Sequence, residues 1–463
     1  MTVLTKLKIA FFSAAVISVT FMQCNNPEKE KNPKEDTDVV GIKLGRPFMN
    51  HRDSVPSSAQ YSGPLFTLSH NYPETALPPM VNPPWQQALK GQPISPSNAL
   101  QYVDALKKYL TPDIMKFLYD REHFNADSAG FYQEPWTGAI REAIMGTYVG
   151  SGFGPGTFTS LDSSMTTYVL TFYDKRAAYT LNKIWGKTGE KVNLMNNAAQ
   201  FEQNSIIVKF AFTTANYPQW SVMQNALTYP IYDTGTAYVD PVYKVRNVSL
   251  FQFDIIVKDT VTSPKTGWVF STLVYDKNAP GGNVWDKMVP LGAQWGNDPD
   301  VNSTLNPTAK LKENVINASA PEYSRQTLGW GGRLSGPNDG AVIPLASADG
   351  KVYKNLQASS CMSCHLTAQD QFLSFLLPGP FPTSNSDTLP VYTPGGPQWL
   401  RYYRDLAGYV PFDSGQVATD FDMVTAFKSI PAYNAARRVT VGKEELDAAA
   451  RYRLRPDNRY NGR

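Results

Sequence analysis

The run Leu250-Phe251-Gln252-Phe253-Asp254-Ile255-Ile256-Val257-Lys258 places Phe251, Phe253, Ile255 and Val257 on one side and Gln252, Asp254 and Lys258 on the other. A period of two in aromatic and β-branched residues is the pattern of an antiparallel strand with one face in a core and the other toward water. The turn-forming residues 259–267 follow, and Trp-Val-Phe-Ser-Thr-Leu-Val-Tyr at 268–275 then resumes the pattern, so the two runs are expected to form a hairpin. Similar runs stand at 166–173 and 205–213. A β-rich body is therefore expected in the middle of the chain.

On its N-terminal side the period changes. Leu100, Val103, Leu106 and Leu110 fall on one helical face after Ser97, and Thr111-Pro112-Asp113 reads as the opening of a second helix carrying Ile114, Phe117 and Leu118. Pro79, Pro83 and Pro84 argue against helix before them. The glycine string 150–156 reads as a turn. Residues 59–340 are thus expected to form a β-rich α+β domain. Beyond 340 helical patterning returns, in a segment capped by Ser359 or Ser360 and running through Phe372, Phe375 and Leu376, then at 397–406 and 420–429. The expected fold class is α+β, a β-rich N-terminal domain followed by a small, mainly helical unit over 341–463.

The chain has 463 residues, 42% of them hydrophobic, with 43 Lys and Arg against 40 Asp and Glu. With a mean hydropathy of −0.33 it is long and apolar enough for a large core, and a net charge of +3 gives no electrostatic footprint for nucleic acid. Residues 1–24 have the form of an export signal: Lys6 and Lys8 precede an apolar run over 9–22 that is too short to span a bilayer. Cys24 directly follows that region, as an acylated lipoprotein cysteine does, although Phe21, Met22 and Gln23 depart from the usual small residues before it. The expected setting is the bacterial cell envelope, as a periplasmic protein or a lipoprotein held to the membrane through Cys24, with 25–58 as a flexible linker. The alternative is a signal cut nearby with Cys24 unacylated.

Only three Cys and four His are present, and Cys361-Met362-Ser363-Cys364-His365 uses two of the former and one of the latter. The string resembles the haem attachment site of c-type cytochromes. Two thiols spaced by two residues are suited to adding across the two vinyl groups on a porphyrin edge, and the adjacent imidazole is then held for the iron. The resemblance implies one covalent haem c per chain, bound by Cys361 and Cys364, with His365 as the proximal iron ligand. It also implies a cytochrome c-like haem domain over 341–463, since 98 residues follow His365. Short strings upstream, such as Gly267-Trp268-Val269-Phe270 and Gly329-Trp330-Gly331-Gly332, are similar to bacterial envelope haem c proteins with a large N-terminal domain of unassigned role. A redox dithiol, a zinc site completed by His51, His70 or His123, and a plain disulfide are the competing readings of the cysteines.

Met423 is the only methionine downstream and the default distal iron ligand, against the reading of a core methionine; Met288, the upstream histidines or an open sixth position are alternatives. Arg333 is a candidate partner for a haem propionate, against a surface arginine in a turn. Glu134 and Asp254 read as exposed or strand-face acids without defined partners. The arginines from Arg437 to Arg463 offer a basic surface to an acidic partner or anionic lipid. The function expected is single-electron transfer to a redox partner protein. The alternatives are a peroxidase-like haem enzyme or ligand sensor with an open iron site, or a binding domain with an accessory haem.

Overall fold

A computed structural model describes residues 57–63, 68–120, 123–135, 147–187, 189, 192–233, 244–340, 342–343, 356–374 and 392–430. Cys24, the export signal, nearly all of the linker and the basic C-terminal arginines lie outside the described residues. Eight strands form one antiparallel sheet: β1 (Tyr148–Phe153), β2 (Met165–Tyr173), β3 (Ile206–Thr213), β4 (Thr228–Asp233), β5 (Lys244–Lys258), β6 (Trp268–Tyr275), β7 (Met288–Gln294) and β8 (Asn314–Ile316). Seven of them run β1-β2-β3-β5-β6-β7-β8 and curl into a half-barrel, while β4 pairs with β5. Strand β5 is 15 residues long, so β4 and β6 lie one after the other along one edge of it while β3 takes the other, with Ser249 pairing to both Thr213 and Thr228. The expected hairpin is present, with Lys258 opposite Trp268 and the Asp259 N–H donating to the Gly267 carbonyl at 2.8 Å. Gly267 has φ +85°, a conformation few other residues adopt, which lets the loop close onto β6. The string at 150–156 is not wholly a turn: its first residues complete β1.

The first face of the sheet carries the main core. Phe210 and Phe253 lie 4.7 Å apart between ring centroids, Phe253 meets Trp285 at 5.0 Å, and Phe117 reaches Phe210 at 4.6 Å. Phe117 belongs to α1 (Ala99–Tyr119), one continuous helix in which Tyr102, Leu106, Leu110, Ile114 and Phe117 are buried. The break expected at Thr111-Pro112 does not occur. Pro112 removes one N–H from the helix interior, and the Thr111 hydroxyl donates to the Lys107 carbonyl at 2.8 Å. Packing of the apolar stripe on both sides of the proline holds the helix through it. Pro84 likewise starts the short helix Pro84–Ala88, at a position where a missing N–H removes no intrahelical bond.

The second face was expected to meet water, and instead every residue of β5 from Val248 to Lys258 is buried. Ile207, Ile256, Trp268 and Phe270 on that face pack with α2 (Lys175–Trp185) and with Trp330, Met362, Leu366, Trp399, Tyr403, Phe421 and Ile430. This overturns the expected fold class. Among the described residues beyond 340 there is no small helical cytochrome c-like unit: α3 (Cys361–His365) has five residues, Pro397–Leu400 four, and Val424–Ser429 is a single π turn. The chain leaves α3 as extended backbone, pairing Gln369–Asp370 with Val417–Ala418, so tertiary pairing ends the helix expected to reach Leu376. The protein is mostly β, and its aromatic C-terminal residues cover a sheet. Among the described residues no helix is long and apolar enough to cross a membrane.

Phe253 is fully buried where the sheet meets α1 and Trp285. Phe253→Ala is expected to lower the unfolding free energy by about 3–5 kcal/mol, read as a lower urea midpoint by circular dichroism.

Candidate functional site

Helix α3 starts with a reciprocal cap. The Ser360 hydroxyl accepts the Ser363 N–H at 3.1 Å, and the Ser363 hydroxyl accepts the Ser360 N–H at 2.7 Å. Gln294 of β7 grips the same turn, its Oε1 accepting the Met362 N–H and its Nε2 donating to Ser360 Oγ, both at 3.1 Å. The glycine string beside Trp330 makes a close backbone approach: the Trp330 N–H donates to the Ser359 carbonyl at 3.0 Å, and a Cβ on Gly329 would lie 1.7 Å from that oxygen. The Cys361 N–H donates to the Leu334 carbonyl at 2.8 Å. With Met362 and Ser363 turned fully inward, Cys361, Cys364 and His365 remain half-buried at positions i, i+3 and i+4, one face of the turn.

His365 Nδ1 lies 2.7 Å from the Phe421 carbonyl. A carbonyl only accepts, so Nδ1 carries the hydrogen and Nε2 keeps its lone pair. Burial brings the imidazole pKa down to about 4, which keeps the ring neutral, and Phe270 of β6 packs against it at 4.9 Å. Both cysteines are free thiols. Burial pushes their pKa values up, with Asp339 adding to the effect, so neither has the stabilised thiolate of a redox dithiol.

The turn that presents the Phe421 carbonyl is held from two sides. The fully buried Asp420 carboxylate accepts from Lys258 Nζ at 2.6 and 2.8 Å, from Trp268 Nε1 at 2.7 Å and from the Phe201 N–H at 2.8 Å. On the other side Asp422 accepts from the Tyr173 hydroxyl at 2.9 Å and the Thr425 hydroxyl at 2.7 Å. Thr425 also bonds Glu134, which accepts from Trp185 Nε1 at 2.7 Å. Burial raises the Glu134 and Asp422 pKa values, and the charge of Asp422 raises Glu134 further. A second polar cluster lies near the thiols. Lys209 Nζ is 2.8 Å from both Asp254 and Asp339, while Gln252 and Thr272 donate to Asp254. Burial opposes the charge on Lys209, and the two carboxylates outweigh it, raising its pKa well above the ordinary range. Glu134 and Asp254 are therefore buried and partnered, contrary to the expectation for both.

Of the other residues expected at a site, Arg333 is completely buried and donates to the carbonyls of Asn297, Trp330, Asp298 and Val301 and to Ser303 Oγ. Its five N–H groups are thereby engaged within the chain, where it ties the 297–303 loop to the glycine string. Met423 is half-buried two residues after Phe421, on the turn that holds the Nδ1 edge of the imidazole. Met288 lies in the first-face core, His70 is half-buried with Nε2 3.2 Å from the Glu134 carbonyl, and His123 is exposed beside Asp120. The sequence reading missed Gln294, Phe270, Asp420 and Phe421. Of these only Phe270 had a local signal, its strand position.

Among the described residues no three His, Cys, Asp or Glu side chains converge to cage an ion. The residues present do fit a covalent haem: two unpaired thiols and one neutral imidazole with a free Nε2 share a face. No protein-family model, curated protein or solved structure matches the chain.

The buried Glu134–Asp422 pair gives stability a definite sign with pH. Carboxyl groups whose pKa is raised on folding contribute fully below their unfolded pKa, and that contribution is lost as pH rises through the raised values. Against the opposite slope from the lowered pKa of His365, the contribution of this pair to the urea midpoint is expected to fall as pH rises above the ordinary carboxylate range. Glu134→Gln, which cannot ionise, is expected to reduce that fall in the same titration.

Proposed function

We propose that this chain is an exported haem c protein that passes single electrons to a protein redox partner, with one haem covalently held by Cys361 and Cys364 and ligated by His365. The observation that carries the reading is the commitment of Nδ1–H to the Phe421 carbonyl, which leaves Nε2 as the one basic nitrogen of the ring on the face shared by both thiols. When bound, the haem supplies an iron centre with a one-electron couple.

The chain's own residues do the rest. Met362 and Ser363 anchor the turn, so that the thiols keep a fixed spacing along one side. Gln294 and the Trp330 backbone hold the start of the turn against the sheet, and Phe270 limits how the imidazole can tilt. Burial keeps Nε2 unprotonated down to about pH 4. Met423 starts from the Nδ1 side of the ring, and the distal role expected of it is not part of this reading. Export through residues 1–24, attachment to the membrane by lipid on Cys24 and a location in the bacterial envelope complete the proposal, since haem c is assembled outside the cytoplasm.

The test is absorption spectroscopy of oxidised and reduced protein matured in a host with a haem-ligation apparatus. Reversible one-electron reduction of covalently held haem is expected, and Cys361→Ala with Cys364→Ala should abolish covalently held colour. A covalent haem that turns over peroxide and shows no reversible one-electron reduction would contradict electron transfer and favour an open iron site used for chemistry.

A further inference from the structure

We propose that Asp420 is a positioning residue for His365: by fixing the backbone at Asp420–Phe421 it holds the carbonyl that engages Nδ1–H, and so selects Nε2 as the nitrogen offered to iron. The inference rests on the haem reading and adds to it the group that sets the tautomer.

Asp420 and Phe421 have φ of +50° and +66°, a left-handed pair of non-glycine residues that needs outside support to persist. The support converges on the Asp420 carboxylate, which is fully buried among Lys258 of β5, Trp268 of β6 and the Phe201 N–H just before β3. The fit is close. A Cβ on Gly408 would lie 1.6 Å from Asp420 Oδ1, so that position has room only for glycine. The turn is registered at its start by the Thr419 N–H, which donates to the Ala368 carbonyl at 3.1 Å, three residues after His365. The path from sheet to imidazole is therefore continuous: Lys258 and Trp268 hold Asp420, the adjoining backbone presents the Phe421 carbonyl, and that carbonyl takes Nδ1–H at 2.7 Å. A histidine donating from Nδ1 is also the more basic ligand at Nε2.

The test separates this role from simple support of the fold. Full-length protein labelled with ¹⁵N at histidine and prepared without haem is examined by NMR as wild type, Asp420→Asn and Trp268→Phe. Trp268→Phe removes one donor to Asp420 and leaves the ion pair, so it serves if Asp420→Asn does not fold. His365 is expected as a single Nδ1–H tautomer in the wild type and as a mixture of tautomers in the folded variants. In the matured protein the same variants should shift the midpoint potential upward, because a weaker donor stabilises the oxidised iron less. A His365 locked as Nδ1–H in every folded variant overturns the inference. Absence of haem from the matured protein overturns the haem reading instead, whatever the tautomer.

Discussion

Charged and polar side chains on the covered face of β5 cannot be left without partners, and meeting that requirement docks the C-terminal part of the chain. Gln252, Asp254 and Lys258 are all buried on that face. Lys209 and Thr272 come from neighbouring strands, but Asn338, Asp339 and Asp420 arrive from far along the sequence. Leaving one member of a buried ion pair alone costs about 3–5 kcal/mol, so these pairings set where the late segments lie. The aromatic residues Trp330, Trp399, Tyr403 and Phe421 then exclude water around them.

The site is a consequence of that docking. One end of the covering layer is the short helix with both thiols, and another is the turn with the Phe421 carbonyl; they meet at His365 because both are fastened to the same sheet. Phe270 and Gln294 stand opposite each other on adjacent strands, one against the imidazole and the other at the helix start. On the proposed haem reading, the sheet would do what a helical bundle does in small haem proteins, which is to hold an iron ligand and two thiols in one geometry.

The strands at 166–173, 205–213, 250–258 and 268–275 were legible because a period of two is a local signal, and the structure places a strand at each within six residues at either end. The same pattern separated the two faces of β5 correctly. It could not say that the polar face would be covered, since the covering residues come from α2 upstream and from Trp330 onward, more than seventy positions downstream. The C-terminal segments misled for a related reason: Phe372, Leu400 and Phe427 are spaced as on helices, but packing on a sheet rewards aromatic residues at irregular intervals as well. The Cys361–His365 string was readable from type and spacing alone. Asp420 was not, because nothing local marks an acid whose partners are Lys258 and Trp268.

The claim on which the account stands is that this turn carries a covalently bound porphyrin. Mass spectrometry of the mature protein, with mapping of the peptide that contains residues 361–365, measures it directly. The account expects one haem added per chain, localised to that peptide through both cysteines. A mature, folded chain whose peptide carries two unmodified thiols would contradict it.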